Sequence, residues 1–553
     1  MSVEKLIVDH METWTSALQT RSTAGRGSSG KIDLYGIKKL RELILELAVR
    51  GKLVPQDPND EPASDLLKRI AAEKAELVKQ GKIKKQKPLP EISEEEKPFE
   101  LPEGWEWVHL PDIYCSISES SRKIKSSEIL PEGKYPVIEQ SQEFISGYCN
   151  NECLLIKLNN PVIVFGDHTR NIKFIDFDFV VGADGVKILS PILICERFFF
   201  WQLRSFKLDV RGYARHFKVL NSCLFALPPI AEQERIVEKV SSLMSLCDQL
   251  EQQSLTSLDA HQQLVETLLG TFTDSQNTAE LAENWARISE HFDTLFTTEA
   301  SVDALKQTIL QLAVMGKLVP QDPNDEPASE LLKRIAQEKA QLVKEGKIKK
   351  QKPLPPISDE EKPFELPEGW EWCRIGNIVN IKSELVSPKD YLNLYQVAPD
   401  IIEKGTGRVI SKRTVKESGV KGPNSRFYKG QIVYSKIRPS LSKVFLAEYN
   451  GLCSADMYPL DCYINPNYLL KYILSIPFLM QVKKAENRIK MPKLNSDSFY
   501  NIIVAIPPYN EQQAIFDKIN SIEAVCNGLI SYIGIYHKTQ LHLADALTDA
   551  AIN

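Results

Sequence analysis

Two stretches of the chain carry apolar residues at alternating steps of four and three. Ile236, Val240, Leu243, Cys247 and Leu250 form the first, and Ile515, Ile519, Ile522, Cys526 and Leu529 the second. This spacing lays one apolar stripe along a helix and predicts helices that bury a seam against other helices. Each stripe follows a similar opening, LPPIAEQ from Leu227 and IPPYNEQ from Ile506. The fixed φ of proline suits entry into a first helical turn. A shorter run, Leu40, Ile44 and Leu47, recurs as Leu305, Ile309 and Leu312. Between the helical stretches the pattern changes. Short apolar runs such as VIVF (162–165) and IKFI (172–175), parted by turn residues, predict strands and hairpins.

These patterns belong to an internal repeat. Residues 50–107 and 315–372 differ at 7 of 58 aligned positions, including GKLVPQ near the start and LPEGWEW at the end. The PPxxEQ stripes form a second, looser repeat. The segments between, roughly 108–226 and 373–505, show no visible similarity to each other. The central unit therefore reads PPxxEQ helix, GKLVPQ helix, LPEGWEW, and the two chain ends hold the same unit cut in two. A lone amphipathic helix cannot bury its seam. The expected arrangement pairs the PPxxEQ and GKLVPQ helices as antiparallel hairpins, each helix of about 40 residues spanning about 60 Å. The second pair forms only if the N- and C-terminal helices meet. The predicted fold is α+β: two α/β domains separated by two long-helix coiled-coil spacers, pseudo-two-fold and closed by the chain ends. The proposed boundaries are 1–100 for an N-terminal extension and half a spacer, 101–226 for a first domain, 227–365 for the central spacer, 366–505 for a second domain, and 506–553 for the closing helix. Residues 82–98 and their copy at 347–363, charged and proline-containing, read as extended linkers.

At 553 residues the chain has room for three or four domains of ordinary size, and a hydrophobic fraction of 43% supports packed cores. Ten cysteines without a CxxC pattern read as reduced thiols, and the pair Cys149 and Cys153 has no second pair at zinc-site spacing. GRGSSGK (25–31) matches a phosphate loop in outline, but Ile32 stands where Ser or Thr is needed and no buried strand precedes it. Ile506 likewise replaces the polar residue that a methyltransferase-type Pro-Pro-Tyr loop requires. No HExxH or GxSxG occurs. The chain is expected to be non-catalytic, with no metal and no cofactor of its own. It has no apolar run long enough to span a membrane and no signal peptide, so a cytoplasmic protein is expected.

The net charge of −5 gives no hint of a polyanionic ligand until it is divided. Residues 101–226 hold 14 basic and 15 acidic residues, whereas 366–505 hold 20 and 12. From Lys404 to Lys443 there are 11 basic residues and one acid, Glu417, with Phe427, Tyr428 and Tyr434 interleaved. Such a surface suits DNA backbone and base-edge contact. The candidates there are Lys412, Arg413, Arg426, Lys436, Arg438 and Lys443, joined by Arg488, Lys490 and Lys493 in ENRIKMPKLN. In the first domain the candidates are Asp167, His168 and Arg170 in the turn GDHTR, and Arg211, Tyr213, Arg215, His216 and Lys218 in RGYARHFK; GADG (182–185) is a second tight turn. A solvated basic face, a locally satisfied hairpin at His168, and a protein scaffold that touches no DNA are the alternatives these residues leave open.

GKLVPQ after a helix, LPEGWEW opening each unlike domain and PPxxEQ opening each following helix together resemble the DNA-specificity subunit of type I restriction–modification systems, over nearly the whole chain. The stretch before the first domain is most similar to members with a long N-terminal extension. The resemblance implies two target-recognition domains, each reading half of a split, asymmetric sequence in double-stranded DNA, and helical spacers that set the unread gap. It further implies docking of two adenine-methylating methyltransferase subunits and two restriction/translocase subunits. S-adenosylmethionine, ATP and Mg2+ would sit in those partners.

Overall fold

The computed structural model describes residues 3–21, 31–85, 87–117, 123–182, 185–208, 215–486 and 492–552. Its main helices are α1 (Tyr35–Val49), α2 (Ala63–Lys79), α3 (Ile230–Thr273), α4 (Thr278–Glu290), α5 (Glu299–Val314), α6 (Ala328–Lys344) and α7 (Tyr509–Ile552). Among the described residues no helix is long and apolar enough to cross a membrane. Helices α3 and α7 are each 44 residues long, about 66 Å of continuous helix. Their stripes are inside: Ile236, Val240, Leu243, Cys247 and Leu250 are buried, as are Ile515, Ile519 and Cys526.

The GKLVPQ helices depart from expectation. Each is two helices with a bend at GKLVPQDPNDEP, α1 to α2 and α5 to α6, in place of one of about 40 residues. The stop is local chemistry. Gly316 closes α5 at φ 71°, and Lys317 N–H returns to the Leu312 carbonyl at 2.9 Å; Gly51 and Lys52 repeat this at the end of α1, with Lys52 N–H on Leu47 at 2.9 Å. A left-handed residue at this place is what ends many helices, and glycine adopts it without steric cost. Both glycines also lie against the proline of LPEGWEW. A Cβ on Gly51 would stand 2.3 Å from Pro102 Cγ, and one on Gly316 2.4 Å from Pro367 Cγ. Two motifs far apart in sequence are thus one packed corner.

The chain divides into two compact units, 1–257 with 535–553, and 258–534. In the first unit β1 (Glu106–His109), β2 (Tyr114–Ile117), β3 (Tyr135–Ile138), β4 (Gly147–Cys149), β5 (Leu155–Ile156), β6 (Val162–Gly166), β7 (Ile172–Ile175), β8 (Phe179–Val181), β9 (Val186–Pro191) and β10 (Leu224–Leu227) make two four-stranded sheets, ordered β2-β9-β6-β7 and β4-β3-β8-β5, and the ribbon β1–β10. In the second unit β11 (Glu371–Arg374), β12 (Val379–Ile381), β13 (Glu384–Val386), β14 (Tyr395–Val397), β15 (Asn424–Phe427), β16 (Ile432–Ser435), β17 (Val444–Leu446), β18 (Gly451–Ser454), β19 (Met457–Cys462) and β20 (Ile503–Ile506) give β12-β19-β16-β17, β13-β15-β18-β14 and the ribbon β11–β20. The first sheet of each unit has the same order. The second shares a three-strand centre with one parallel pair, β8 on β3 and β18 on β14, and differs in which edge carries the fourth strand. Two segments without visible sequence similarity therefore share the order of one sheet and the three-strand centre of the other. Their sheets are chiefly antiparallel, so the expected α/β character of each domain is corrected to α+β.

Each domain is fastened to its helices by the same contacts. Trp105 donates its indole N–H to Glu232 Oε2 at 2.9 Å, and Gln56 donates to Glu232 Oε1 at 3.1 Å. Trp370 and Gln321 do the same to Glu511 at 3.0 and 3.2 Å. Burial raises both carboxyls above the usual glutamate range, against the lowering effect of these donors. The next residue holds the domain: Gln233 Oε1 accepts Cys195 N–H at 3.0 Å, and Gln512 Oε1 accepts Asn465 N–H at 2.9 Å. The EQ of PPxxEQ thus joins the GKLVPQ corner that precedes a domain to the helix that follows it. In the first unit Tyr35 Oη donates to Asp545 at 2.7 Å and Lys52 Nζ to the Ile552 carbonyl at 2.6 Å. In the second unit the end of α3 (Val265, Leu269, Phe272) shares a core with α4, α5 and the Cys526–Ile533 stretch of α7.

Candidate nucleic-acid interface

In the first domain the β6–β7 hairpin carries GDHTR. Gly166 is required by close approach, since a Cβ there would lie 2.3 Å from Thr169 Oγ1 and 2.8 Å from Gln140 Cβ. Gln140, just past β3, clasps the turn. Its side-chain oxygen accepts His168 N–H at 3.1 Å, and its carbonyl accepts the Thr169 hydroxyl and the Asn171 amide. Lys173 Nζ reaches the Glu139 carbonyl at 2.8 Å, and burial pulls its pKa down. The segment up to Lys218 docks on the same turn. His216 N–H and its ring Nδ1 meet the Asp167 carbonyl at 2.8 and 3.1 Å, while Asp167 Oδ1 accepts Phe217 N–H at 2.8 Å, capping the short helix Phe217–Leu220.

Three candidates are reassigned by this to holding the turn. Asp167 is 4% exposed and His216 1% exposed; both are enclosed and hold the turn, so neither side chain stands where a base edge could reach it. Arg170, at φ 62°, gives its guanidinium to the Leu208 carbonyl at 2.8 Å, so it too serves the clasp. Arg215 and Lys218 are exposed, and His168 is half-buried at the tip. Arg211 and Tyr213 lie outside the described residues, as do Ala183 and Asp184 of GADG and residues 25–30 of GRGSSGK.

In the second domain the β16–β17 hairpin carries Lys436, Arg438 and Lys443. The basic segment 492–494 runs against it. Ile437 bridges Lys493 antiparallel, Leu494 N–H reaches the Lys436 carbonyl at 2.9 Å and Arg438 N–H the Pro492 carbonyl at 2.8 Å. Lys493, from the second basic cluster read along the chain, therefore stands beside the hairpin of the first; Arg488 and Lys490 fall outside the described residues. Lys493 pairs with Asp456 at 3.2 Å, and Lys436 stands 5.2 Å from the Tyr458 ring centre. Lys443 Nζ donates to the Pro399 carbonyl; it is corrected to a tie holding the hairpin. Arg438 (φ 45°) and Ser442 (φ 46°) are left-handed, flanking the single turn Pro439–Leu441. Non-glycine residues in that region cost on the order of 1–3 kcal/mol each, and the α region is further disfavoured before proline.

The other cations of this domain sit apart from the hairpin turn or are already engaged. Arg413 pairs with Asp400 and Gln396 at 3.0 and 3.2 Å, lining a cleft of about 380 Å3 with Asn424 and Ser454. Arg426 lies 3.7 Å from Glu384 and stacks near Tyr391 and Tyr428. Lys412 is exposed, 5.4 Å from the Tyr449 ring centre.

Set side by side, the two hairpins are one device. Both join the third and fourth strands of the same sheet. Each is crossed by the segment that leads into a short helix before the closing ribbon strand, and each is tied by a lysine (Lys173 or Lys443) to a carbonyl just past the parallel strand. Sequence reading singled out charged candidates but missed Gln140, Lys173 and Asp456. The lysine ties of both hairpins run to backbone carbonyls, which leave no side-chain signal. Among the described residues no group of three or more His, Cys, Asp or Glu side chains could hold a metal ion.

Two domains of like sheet order thus carry clasped hairpins with unlike side chains, each domain fastened to the same repeated helices. Comparison with known proteins bears on the family such a chain belongs to. The type I restriction modification DNA specificity domain matches residues 102–260 and 367–533. The chain belongs to the family of type I restriction–modification DNA specificity subunits. It is 51% identical to the EcoAI type I restriction enzyme specificity subunit of Escherichia coli and 48% identical to the EcoEI one, over the full length of every chain. The HsdS subunit from Thermoanaerobacter tengcongensis is similar at 15% identity, covering 83% of this chain and 98% of that one with a TM-score of 0.38.

Proposed function

We propose that this chain gives a type I restriction–modification complex its target, reading a two-part asymmetric sequence in double-stranded DNA with residues 101–226 and 366–505 as the two readers. The repeated helices set the distance between the half-sites, in a closed pseudo-two-fold arrangement completed by 1–100 and 506–553. Their matching surfaces dock two methyltransferase subunits, and two restriction/translocase subunits complete the restriction form. S-adenosylmethionine, ATP and Mg2+ belong to those partners, and this chain supplies no catalytic group.

The single observation that carries the reading is the pair of equivalent hairpins bearing different side chains. One sheet order presented twice fits one kind of ligand engaged twice, and different residues at the tips fit different half-sites. The exposed Arg215 and Lys218 with the half-buried His168 in one domain, and the exposed Lys412 and Arg438 with the half-buried Lys436 in the other, are the groups available for phosphates and base edges. The domain of net −1 relies on local contacts, the domain of net +8 on a wider field. Gel shifts of the chain with its methyltransferase partner over a randomised DNA pool test this. They should return one bipartite sequence with a fixed gap and binding that weakens with salt; affinity indifferent to sequence would refute it.

A further inference from the structure

We infer that Arg438 is a specificity-determining residue of the second domain, held by its backbone in a reading position and aimed at a guanine edge. The inference rests on the DNA-reading function proposed above and goes beyond it to one residue and one base type.

Every other described candidate cation of that domain has a nearby partner. Arg413 has Asp400, Arg426 has Glu384, Lys493 has Asp456, Lys443 has the Pro399 carbonyl, and Lys436 and Lys412 lie by Tyr458 and Tyr449. Arg438 alone of this set is exposed with a guanidinium that makes no hydrogen bond or ion pair among the described residues. Its backbone is the opposite of free. It is left-handed and precedes Pro439, a position that both rules disfavour. It stays there because its N–H is bonded to Pro492 at 2.8 Å, its carbonyl accepts Leu441 N–H at 2.9 Å, and Ser440 N–H beside it is taken by Glu486 Oε1 at 3.0 Å. Three bonds thus hold one unfavourable conformation whose only exposed product is an unpaired arginine.

Strain of this kind persists where the surroundings over-determine it, and it pre-orients what it carries. Arginine's planar fork matches the O6 and N7 acceptors of guanine in the major groove, the commonest specific pairing. The equivalent turn in the first domain sharpens the contrast. Arg170 there is also left-handed, but its guanidinium is spent on the Leu208 carbonyl. Arg170, two residues before β7, matches Ser442, two residues before β17, so Arg438 has no arginine counterpart in the first hairpin.

The test uses the full chain in complex with its methyltransferase partner and compares sequence selection from a randomised duplex pool for wild type, Arg438→Lys and Arg438→Gly. Glycine accepts the left-handed backbone, so that variant should melt no lower than wild type, which separates loss of reading from loss of folding. Lysine keeps the charge but loses the two-pronged geometry. Both should lose selection at one G·C pair of the half-site read by the second domain, with cognate affinity down about 10- to 100-fold, while the other half-site stays unchanged. Unaltered selection in both variants, or an equal loss on all sequences, would overturn the inference and leave the proposed function standing. A wild-type complex without sequence preference would overturn both.

Discussion

At the scale of single residues, the repeat places the same side chain in two settings, and Lys74 and Lys339 show what setting does. Both leave the second helix of a GKLVPQ corner to reach backbone carbonyls at the start of a domain, Lys74 at Pro111 and Lys339 at Gly376 and Val379. Burial lowers both, and it brings Lys339 from the usual 10.5 to about 8. The sign follows from which state lets go of its proton first. Below pH 8 the lysine is charged in both states and the full burial cost is present. Between about 8 and 10.5 the folded chain has released a proton that the unfolded chain still holds, so this residue's share of stability rises with pH. Urea unfolding of wild type and Lys339→Met should show the wild type gaining on the variant from pH 8 to 10; parallel curves would contradict the burial. The chain around Lys74 and Lys339 is nearly the same, differing at Ala72/Gln337 and Glu76/Gln341, and the unlike domains packed above the two lysines set them further apart. Asp167 and His216 failed as contact candidates for a related reason. Their types suit a base edge and a capped turn equally, and only enclosure separates the two.

At the scale of elements, the long stripes were fully legible. Steps of four and three leave no freedom in which face is buried, and all five stripe residues from Ile236 to Leu250 are inside. The GKLVPQ break was less legible, since the apolar spacing before it looks like a helix that continues. The signal was the glycine, and its force is conformational and steric at once. Gly316→Ala meets both a φ of 71° and Pro367 Cγ at 2.4 Å, so it should destabilise by more than about 1 kcal/mol. A thermal melt should show a drop for Gly316→Ala and for Gly51→Ala alike, while an alanine at Gly346, which has a similar φ but nothing within 4 Å, should cost less. Equal losses at all three would mean that the corner contributes nothing. The sheet order common to the two domains was not legible at all, because it resides in hydrogen-bond register, which unlike side chains satisfy equally well.

At the scale of the whole chain, residues 535–553 belong to the unit that contains the N-terminus. Asp545 accepts from Tyr35 and lies 3.4 Å from Lys39, and the Ile552 carbonyl accepts from Lys52. A chain ending at Gly534 should therefore lose hydrogen-exchange protection in α1, with 371–506 protected as before. Equal protection of α1 in both chains would show that the C-terminal segment is a bystander. The repeat made this meeting of ends predictable, because a spacer cut in two has a seam to cover at each end.

The ribbons carry a consequence of their own. Glu106 lies opposite Leu227, and Glu371 opposite Ile506, so the way into each domain and the way out are neighbouring strands, about 4.8 Å apart. What lies between must begin and end at that spacing and keep the few bonds that reach the helices, Cys195 to Gln233 in one domain and Asn465 to Gln512 in the other. Change elsewhere inside the domain leaves the doorway, and the frame it opens from, as they were.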